Sequence, residues 1–141
     1  MKYIMFIFFL ATSFSYANVC KLDNKIMYSI LLNEAYSKKD VGYSYIISFN
    51  DESDQELIKR TKLKKYMLNS RNLDCKNKEF CEKVLKVLVK NKITNIDLGP
   101  YQIHYRSHYK NVPISTFFDL EQSYLFACQY VKTKIKKYGF N

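Results

Sequence analysis

The sequence predicts a single domain of the α+β class, and three of its features support that prediction. The chain has 141 residues, enough for one hydrophobic core but too few for two domains of ordinary size. Three segments, one in the first quarter of the chain, one in the middle and one near its end, carry apolar residues at helical spacing. Other short runs are rich in β-branched and aromatic residues, which favour strands.

Three long helices are predicted from apolar stripes that recur every three or four residues. The first spans Leu22–Ala35, with Asp23 or Asn24 as its N-cap. The second spans Glu79–Val89, and the third spans Phe118–Lys137 and closes the domain. The residues expected to point inward are Ile26, Met27, Tyr28, Ile30 and Leu31 in the first helix, Phe80, Val84, Leu85, Leu88 and Val89 in the second, and Leu120, Tyr124, Ala127, Cys128 and Val131 in the third.

The strands are predicted in the segment between the first and second helices. Tyr43–Asn50 is rich in β-formers and has Ile46 and Ile47 at its centre. Asp51–Arg60 is charged and predicts a helix or a solvated turn, and Leu63–Leu68 predicts another strand. A small antiparallel sheet is therefore expected from parts of residues 43–68.

The first residues of the chain have the pattern of a secretory signal peptide, predicted to span residues 1–17. Lys2 is the charged start, Ile4–Leu10 is an apolar core, and Ser15 and Ala17 are small residues at the cleavage site. The apolar run is shorter than the ~20 residues of a permanent membrane span, so none is expected. Export to the periplasm without a lipid anchor at Cys20 is the prediction.

An exported chain is exposed to oxidation, so its four cysteines favour disulfides. Three pairings are possible. Cys75 and Cys81 flank a polar loop and are the favoured local pair, which leaves Cys20 with Cys128. The alternative is four unpaired cysteines that act as small apolar side chains. Neither the cysteine spacing nor the two histidines form a zinc ligand set, so no metal or cofactor is expected.

The formal net charge of +10 at pH 7 favours an acidic partner. Nucleic acid, anionic lipid and a cell-wall polymer with free carboxylates all fit this description. An AT-rich genome encodes proteins with many lysines, and this explains the charge equally well. Charge alone therefore does not choose the partner.

Glu34 lies near the C-terminal end of the first predicted helix, one turn beyond Ile30 and Leu31, and so leans toward the buried side. The negative end of the helix dipole and partial burial both disfavour the charged carboxylate, so both raise its pKa. A carboxyl with a raised pKa suits a general acid. The alternative is a solvated carboxylate paired with Lys38 on the next turn.

The central stretch, Asn95–His108, contains one of only three glycines in the chain. Gly99 follows a β-branched run at a point where the chain must turn, and glycine reaches positive φ without strain. Beyond the turn, Tyr101, Ile103 and Tyr105 alternate with polar residues, which predicts a strand with one polar side. The polar residues are Gln102, His104 and Arg106.

This stretch, NIDLGPYQIHYRSH, resembles the NIDxGxxQIN…H segment of lytic transglycosylases, the lysozyme-like enzymes that cleave the glycan strand of peptidoglycan. The match is strongest to the branch associated with secretion and conjugation machinery. NEAYSKKDVGYSYIISFN is similar to the family's glutamate block, and FFDLEQSYLFACQYVKTKIKKYG to the block that packs behind the cleft. The resemblance covers roughly Ile26 to Gly139.

The resemblance implies a lysozyme-like fold, mainly helical, with a small antiparallel sheet beside the cleft. It places the catalytic carboxyl on Glu34, in apolar surroundings to which Ile30, Tyr101 and Ile103 are expected to contribute. It also implies that the partners are glycan strands and a secretion or conjugation apparatus, with no nucleic acid, and that the protein is a monomer. The residues expected to contact the substrate are Ser48, Tyr101, Gln102 and His104.

Two departures from the family pattern leave alternatives open. Residues 18–141 are expected to form the domain without the family's usual C-terminal helix and its tyrosine motif, which suggests a truncated module that binds peptidoglycan without cleaving it. His104 stands where asparagine is common, and it fits either a hydrogen-bond donor to the sugar or a structural, aromatic-packed histidine. A basic secreted protein that acts on membranes is a third hypothesis, with no strongly amphipathic cationic helix to support it.

Overall fold

The computed structural model describes residues 20–34 and 39–139, which form a mixed α+β domain of six α-helices and a four-stranded antiparallel sheet. The predicted signal peptide lies outside these residues. The elements in chain order are α1 (Asn24–Glu34), β1 (Ile46–Phe49), α2 (Glu52–Lys59), a 3-10 helix (Lys62–Tyr66), β2 (Asn72–Asp74), α3 (Lys78–Lys90), β3 (Ile96–Leu98), β4 (Ile103–His104), α4 (Tyr105–His108), α5 (Ile114–Phe117) and α6 (Leu120–Tyr138).

The sheet has the strand order β2-β1-β3-β4, and its register aligns residues in rows across all four strands. Side chains of directly paired residues lie on the same face, and successive residues of one strand lie on opposite faces. One row is entirely apolar and at most 6% exposed, and it belongs to the hydrophobic core: Leu73, Ile47, Leu98 and Ile103.

The adjacent row is entirely polar and lies on the opposite face of the sheet. It consists of Asn72, Ser48, Asp97 and His104, one from each strand. We call this set the polar row. The four strands therefore bury one face in the core and present hydrogen-bonding groups on the other.

The predicted strand at Leu63–Leu68 is wrong, because this part of the chain forms the 3-10 helix followed by a bridge at Met67. The half-buried residues of the 3-10 helix and the bridge are Leu63, Tyr66 and Met67, whose spacing fits a helical turn and not the alternation of a strand. The sheet instead takes β2 from Asn72–Asp74 and two strands from the central stretch. The predicted alternation beyond Gly99 also ends early, because α4 begins at Tyr105.

The three long helices lie where the apolar stripes predict them, with ends that shift by up to two residues. Asp23 caps α1, since its Oδ1 accepts a hydrogen bond from the backbone N–H of Lys25 at 2.8 Å. Two residues predicted to point inward do not: Tyr28 is 56% exposed and Leu120 is 47% exposed. Tyr28 lies on the side of α1 away from the buried Met27 face, and Leu120 is the first residue of α6, where one side still faces water.

Two disulfides connect the cysteines in the predicted pairing. Cys20–Cys128 joins the segment before α1 to α6, with the Cα atoms 6.1 Å apart. Cys75–Cys81 closes the short connection between β2 and α3, with the Cα atoms 5.1 Å apart. Among residues 20–34 and 39–139, none of the helices combines the length and the apolar character needed to cross a membrane.

Gly99 makes the turn from β3 toward β4 and requires glycine for two reasons. Its φ of +72° lies in the left-handed region, and a Cβ at this position would overlap the backbone carbonyl oxygen of Phe117. Its N–H also donates to the carbonyl of Ile46 at 2.9 Å, which extends the pairing of β1 and β3. The predicted turn glycine is therefore confirmed.

Gly99→Ala should destabilise the fold by roughly 2–5 kcal/mol, the sum of a left-handed backbone penalty and a steric overlap with fixed backbone. Gly139→Ala is the matched control, because Gly139 has a φ of +77° but no atom within 4 Å of the added Cβ. The control should lose only the backbone contribution. Equal losses in the two variants, measured by denaturant unfolding, would contradict the close approach of Phe117.

Candidate active site

The polar face of the sheet carries a connected set of hydrogen bonds centred on Ser48 and Gln102. Ser48 is 3% exposed, and its Oγ lies 2.5 Å from Oε1 of Gln102 and 2.7 Å from Oδ1 of Asn72. A hydroxyl has one hydrogen to donate, so both contacts are favourable when one of the two amides is turned with its NH2 toward Oγ. Ser48, predicted to contact substrate, thus lies beneath the surface and holds two amides in place.

Gln102 adopts a φ of +45°, which is uncommon for a residue other than glycine. Its Nε2 donates to the carbonyl oxygen of Gly99 at 2.8 Å, and its Oε1 contacts Ser48. These two bonds orient the side chain and compensate for the backbone conformation. One N–H of Nε2 and one lone pair of Oε1 remain for a ligand.

Asp97 is the most highly connected residue of the polar row. Its Oδ1 lies 2.8 Å from Nδ1 of His104. Its Oδ2 accepts from Nδ2 of Asn50 at 2.9 Å and lies 3.5 Å from the Arg71 guanidinium. Arg71 in turn donates to Oδ1 of Asn50 at 2.7 Å. We call Asn50, Arg71, Asp97 and His104 the Asp97 cluster.

Glu34 is the last residue of α1 and is affected by the charges of this cluster. Partial burial raises the pKa of its carboxyl above the ordinary value, and the negative charge of Asp97 raises it further, while Arg71 opposes both. The residue as a whole remains exposed, so the carboxyl is open to a ligand. The carboxyl thus combines a raised pKa, access, and a neighbouring row of hydrogen-bonding groups.

A buried carboxylate, Asp74, anchors the segment that precedes β1. Asp74 is fully buried at the end of β2 and forms ion pairs with Lys39 and Lys76, both at 2.7 Å. Its Oδ1 also accepts from the Tyr43 hydroxyl at 2.7 Å and from the N–H of Lys76 at 2.9 Å. Since Lys39 and Tyr43 belong to the segment before β1, Asp74 holds that segment against the sheet.

The remaining predicted residues divide between the site and the core. His104 lies in the polar row with its side chain 33% exposed. Tyr101 is 8% exposed and packs against Tyr124, with ring centroids 6.2 Å apart. Ile103 was expected near Glu34, but this is wrong, because it lies in the apolar row on the other face of the sheet. Lys38, the alternative partner of Glu34, lies outside the described residues.

Sequence reasoning missed Asp97, Arg71, Asn50 and Asn72. One signal was available for Asp97, which stands between Ile96 and Leu98 in a β-rich run. Strand alternation places such a residue opposite the core face. No comparable signal existed for the other three, because they reach the site through the pairing of β1 with β2 and β3. Within residues 20–34 and 39–139, no group of three or more acidic, histidine or cysteine side chains is arranged to hold a metal ion.

The two charged neighbours of Glu34 should shift its pKa in opposite directions. Asp97→Asn removes a negative charge and should lower the pKa of Glu34, whereas Arg71→Gln removes a positive charge and should raise it. Both shifts should shrink as salt is added. The carboxyl carbon chemical shift of Glu34, followed by NMR as pH is varied, measures them. Shifts of the same sign in both variants would contradict the arrangement.

Asp74→Asn should destabilise the fold at neutral pH by roughly 2–4 kcal/mol. This is at the lower end of the usual cost of breaking a buried ion pair, because both lysines keep access to water. Burial alone would raise the pKa of Asp74, but the bonds from Lys39, Lys76 and Tyr43 outweigh it and hold the pKa well below its usual range.

The stabilisation by Asp74 is therefore complete above the unfolded pKa of about 4 and disappears as pH falls toward the folded value. Unfolding free energies of the parent and Asp74→Asn should converge on acidification. The matched control is Glu79→Gln, an exposed helical pair with Lys83, which should behave like the parent at every pH. A constant difference between parent and Asp74→Asn down to pH 2 would rule out the ion-paired state.

No protein-family model, curated protein or solved structure matches the chain. The chemistry of the site is therefore argued from its own geometry and from the motifs in the sequence.

Proposed function

We propose that this chain is an exported peptidoglycan lytic transglycosylase with a lysozyme-like fold, in which Glu34 is the single general acid and base. The observation that carries the proposal is the position of Glu34. It ends α1 with a raised pKa, beside a sheet face made of amide, carboxylate and imidazole groups. Such a combination of a proton donor and several hydrogen-bonding groups suits a hydroxyl-rich substrate.

The reaction requires only one carboxyl. Glu34 protonates the leaving glycosidic oxygen, and the N-acetyl group of the muramic acid stabilises the oxocarbenium-like centre. The resulting carboxylate then removes the proton from the C6 hydroxyl of the same sugar, which closes a 1,6-anhydro ring. Because one group acts first as an acid and then as a base, a pKa raised toward neutrality favours both steps.

Gln102 is proposed to bind the glycan beside Glu34. Its amide keeps one N–H donor and one lone pair after its bonds to Gly99 and Ser48, which suits an acetamido group or a hydroxyl. These two bonds hold the amide in one orientation before substrate arrives, which lowers the entropy lost on binding. His104 and Arg71 extend the same surface and are exposed enough to contact the sugar.

Two properties of the chain support a role at the cell wall. Two disulfides are stable in an oxidising compartment, which agrees with export to the periplasm. The net charge of +10 favours encounter with a polymer that carries free carboxylates. A secretion or conjugation apparatus, implied by the motif resemblance, is the proposed setting in which the wall is opened.

The proposal is tested with purified sacculi and mass spectrometry of the released fragments. The parent protein should release anhydro-muropeptides, and Glu34→Gln should reduce the rate by about 10²–10⁴-fold, because the amide neither gives nor takes a proton. The rate of the parent should fall as pH rises through the raised pKa of Glu34, since the acid must be protonated to act.

Glu79→Gln is the matched control, since it removes an exposed helical carboxylate that forms its ion pair with Lys83 and not with the polar row, and it should keep the parent rate. Release at the parent rate by Glu34→Gln would show that the catalytic assignment is wrong. Binding of sacculi by the parent without any release would favour a module that binds peptidoglycan without cleaving it.

A further inference from the structure

The hydrogen bond between Asp97 and His104 determines which nitrogen of the imidazole is basic. Nδ1 lies 2.8 Å from Oδ1 of Asp97. An ionised carboxylate only accepts hydrogen bonds, so Nδ1 must carry the proton. In the neutral ring, Nε2 then holds the free lone pair. Asp97 thereby orients the ring and leaves Nε2 as its proton-accepting nitrogen.

The Asp97 carboxylate itself is not free to remove a proton. Its Oδ1 is used by His104, and its Oδ2 by Asn50 with Arg71 adjacent. Nε2 of His104 has no hydrogen-bond partner among residues 20–34 and 39–139, and the side chain is 33% exposed. The basic atom that the cluster offers to solvent is therefore Nε2.

The other histidine in the chain does not share this arrangement. His108 packs edge-on against Phe126 and Tyr130, with ring centroids 5.1 and 5.0 Å away. Burial, followed by the charges of His104 and Lys134, lowers its pKa. His108 thus matches the structural, aromatic-packed histidine, whereas His104 has a carboxylate partner and an open nitrogen.

We propose that the Asp97–His104 pair activates water, so that the site also hydrolyses the glycosidic bond that it cleaves by transglycosylation. This inference rests on the proposed function, because it needs Glu34 to break the same bond. It adds a second product, a glycan fragment with a reducing end.

The two reactions share their first step and diverge at the anomeric carbon. The C1–O4 bond breaks as Glu34 gives its proton to O4. In the first route, O6 of the same sugar bonds to C1 and Glu34 recovers a proton from O6. In the second route, water bonds to C1 and gives its proton to Nε2 of His104. The imidazolium then loses that proton to solvent and Glu34 is reprotonated, so one water molecule is consumed in each cycle.

The test is the ratio of reducing ends to anhydro ends among the products. Sacculi are first reduced with borohydride, which removes the ends already present, and are then digested with the full mature chain. A second reduction, with borodeuteride, labels the new reducing ends with deuterium but leaves anhydro ends unchanged, and mass spectrometry counts both. The parent should give both kinds of end.

His104→Asn keeps a hydrogen bond to Asp97 but has no basic nitrogen, so the ratio of reducing to anhydro ends should fall at least tenfold. His104→Gln should do the same and guards against a folding defect in one variant. Asp97→Asn should lower the ratio to a smaller extent, because it removes orientation and not the base. His108→Asn is the matched control and should leave the ratio unchanged.

Weaker binding of the substrate slows both routes equally. The ratio of reducing to anhydro ends therefore distinguishes activation of water from a simple binding or folding defect. Anhydro ends alone from the parent, or an unchanged ratio in both His104 variants, would overturn the water-activating role while leaving transglycosylation intact. No new ends of either kind from the parent would overturn both proposals.

Discussion

The site depends on the register of four short antiparallel strands. Pairing of β1 with β2 and β3, and of β3 with β4, brings Asn72, Ser48, Asp97 and His104 into one row, although they lie far apart in the sequence. The same register fills the next row with core residues. A shift of one residue in any strand would turn a polar side chain into the core and an apolar one out to water, so burial of the apolar row maintains the polar row.

Two aspartates of the sheet, Asp97 and Asp74, support the site around the Glu34 carboxyl at the end of α1. Asp97 belongs to the sheet, and its charge helps to raise the pKa of Glu34. Asp74, on the edge strand β2, binds Lys39 and Tyr43 and so fastens the segment before β1. Asp97 acts through space on the pKa of Glu34, and Asp74 fixes the position of the segment before β1. Substitution of either aspartate should therefore alter the site, even if its side chain does not contact a ligand.

The parts of the structure that could be predicted from the sequence are those set by local pattern. The stripe at Phe80, Val84 and Leu88 repeats over three turns and fixes α3 without knowledge of any other element. The disulfide pairing followed from loop length and elimination. Gly99 marked a turn at the end of a β-branched run. Each of these signals acts over a few residues.

The parts that could not be predicted depend on long-range pairing. β2 is only three residues long, and Asn72 is polar, so nothing local distinguishes it from a loop. Arg71 and Asn50 meet only because β1 and β2 are neighbours. The placement of Ile103 near Glu34 was wrong. Adjacent residues of a strand lie on opposite faces of the sheet, and His104 lies on the polar face, so Ile103 lies on the apolar face.

The central claim is that the polar face of the sheet, next to Glu34, binds the glycan. The side-chain amides of Asn50, Asn72 and Gln102 lie on this face and give separate NMR signals, so each reports directly on a bound sugar. A titration with a soluble GlcNAc–MurNAc fragment tests the claim most directly. The account predicts concentration-dependent shifts of the Gln102 and Asn50 amides together with the Glu34 backbone. Shifts confined to the lysine-rich end of α6, with these amides unmoved, would contradict it.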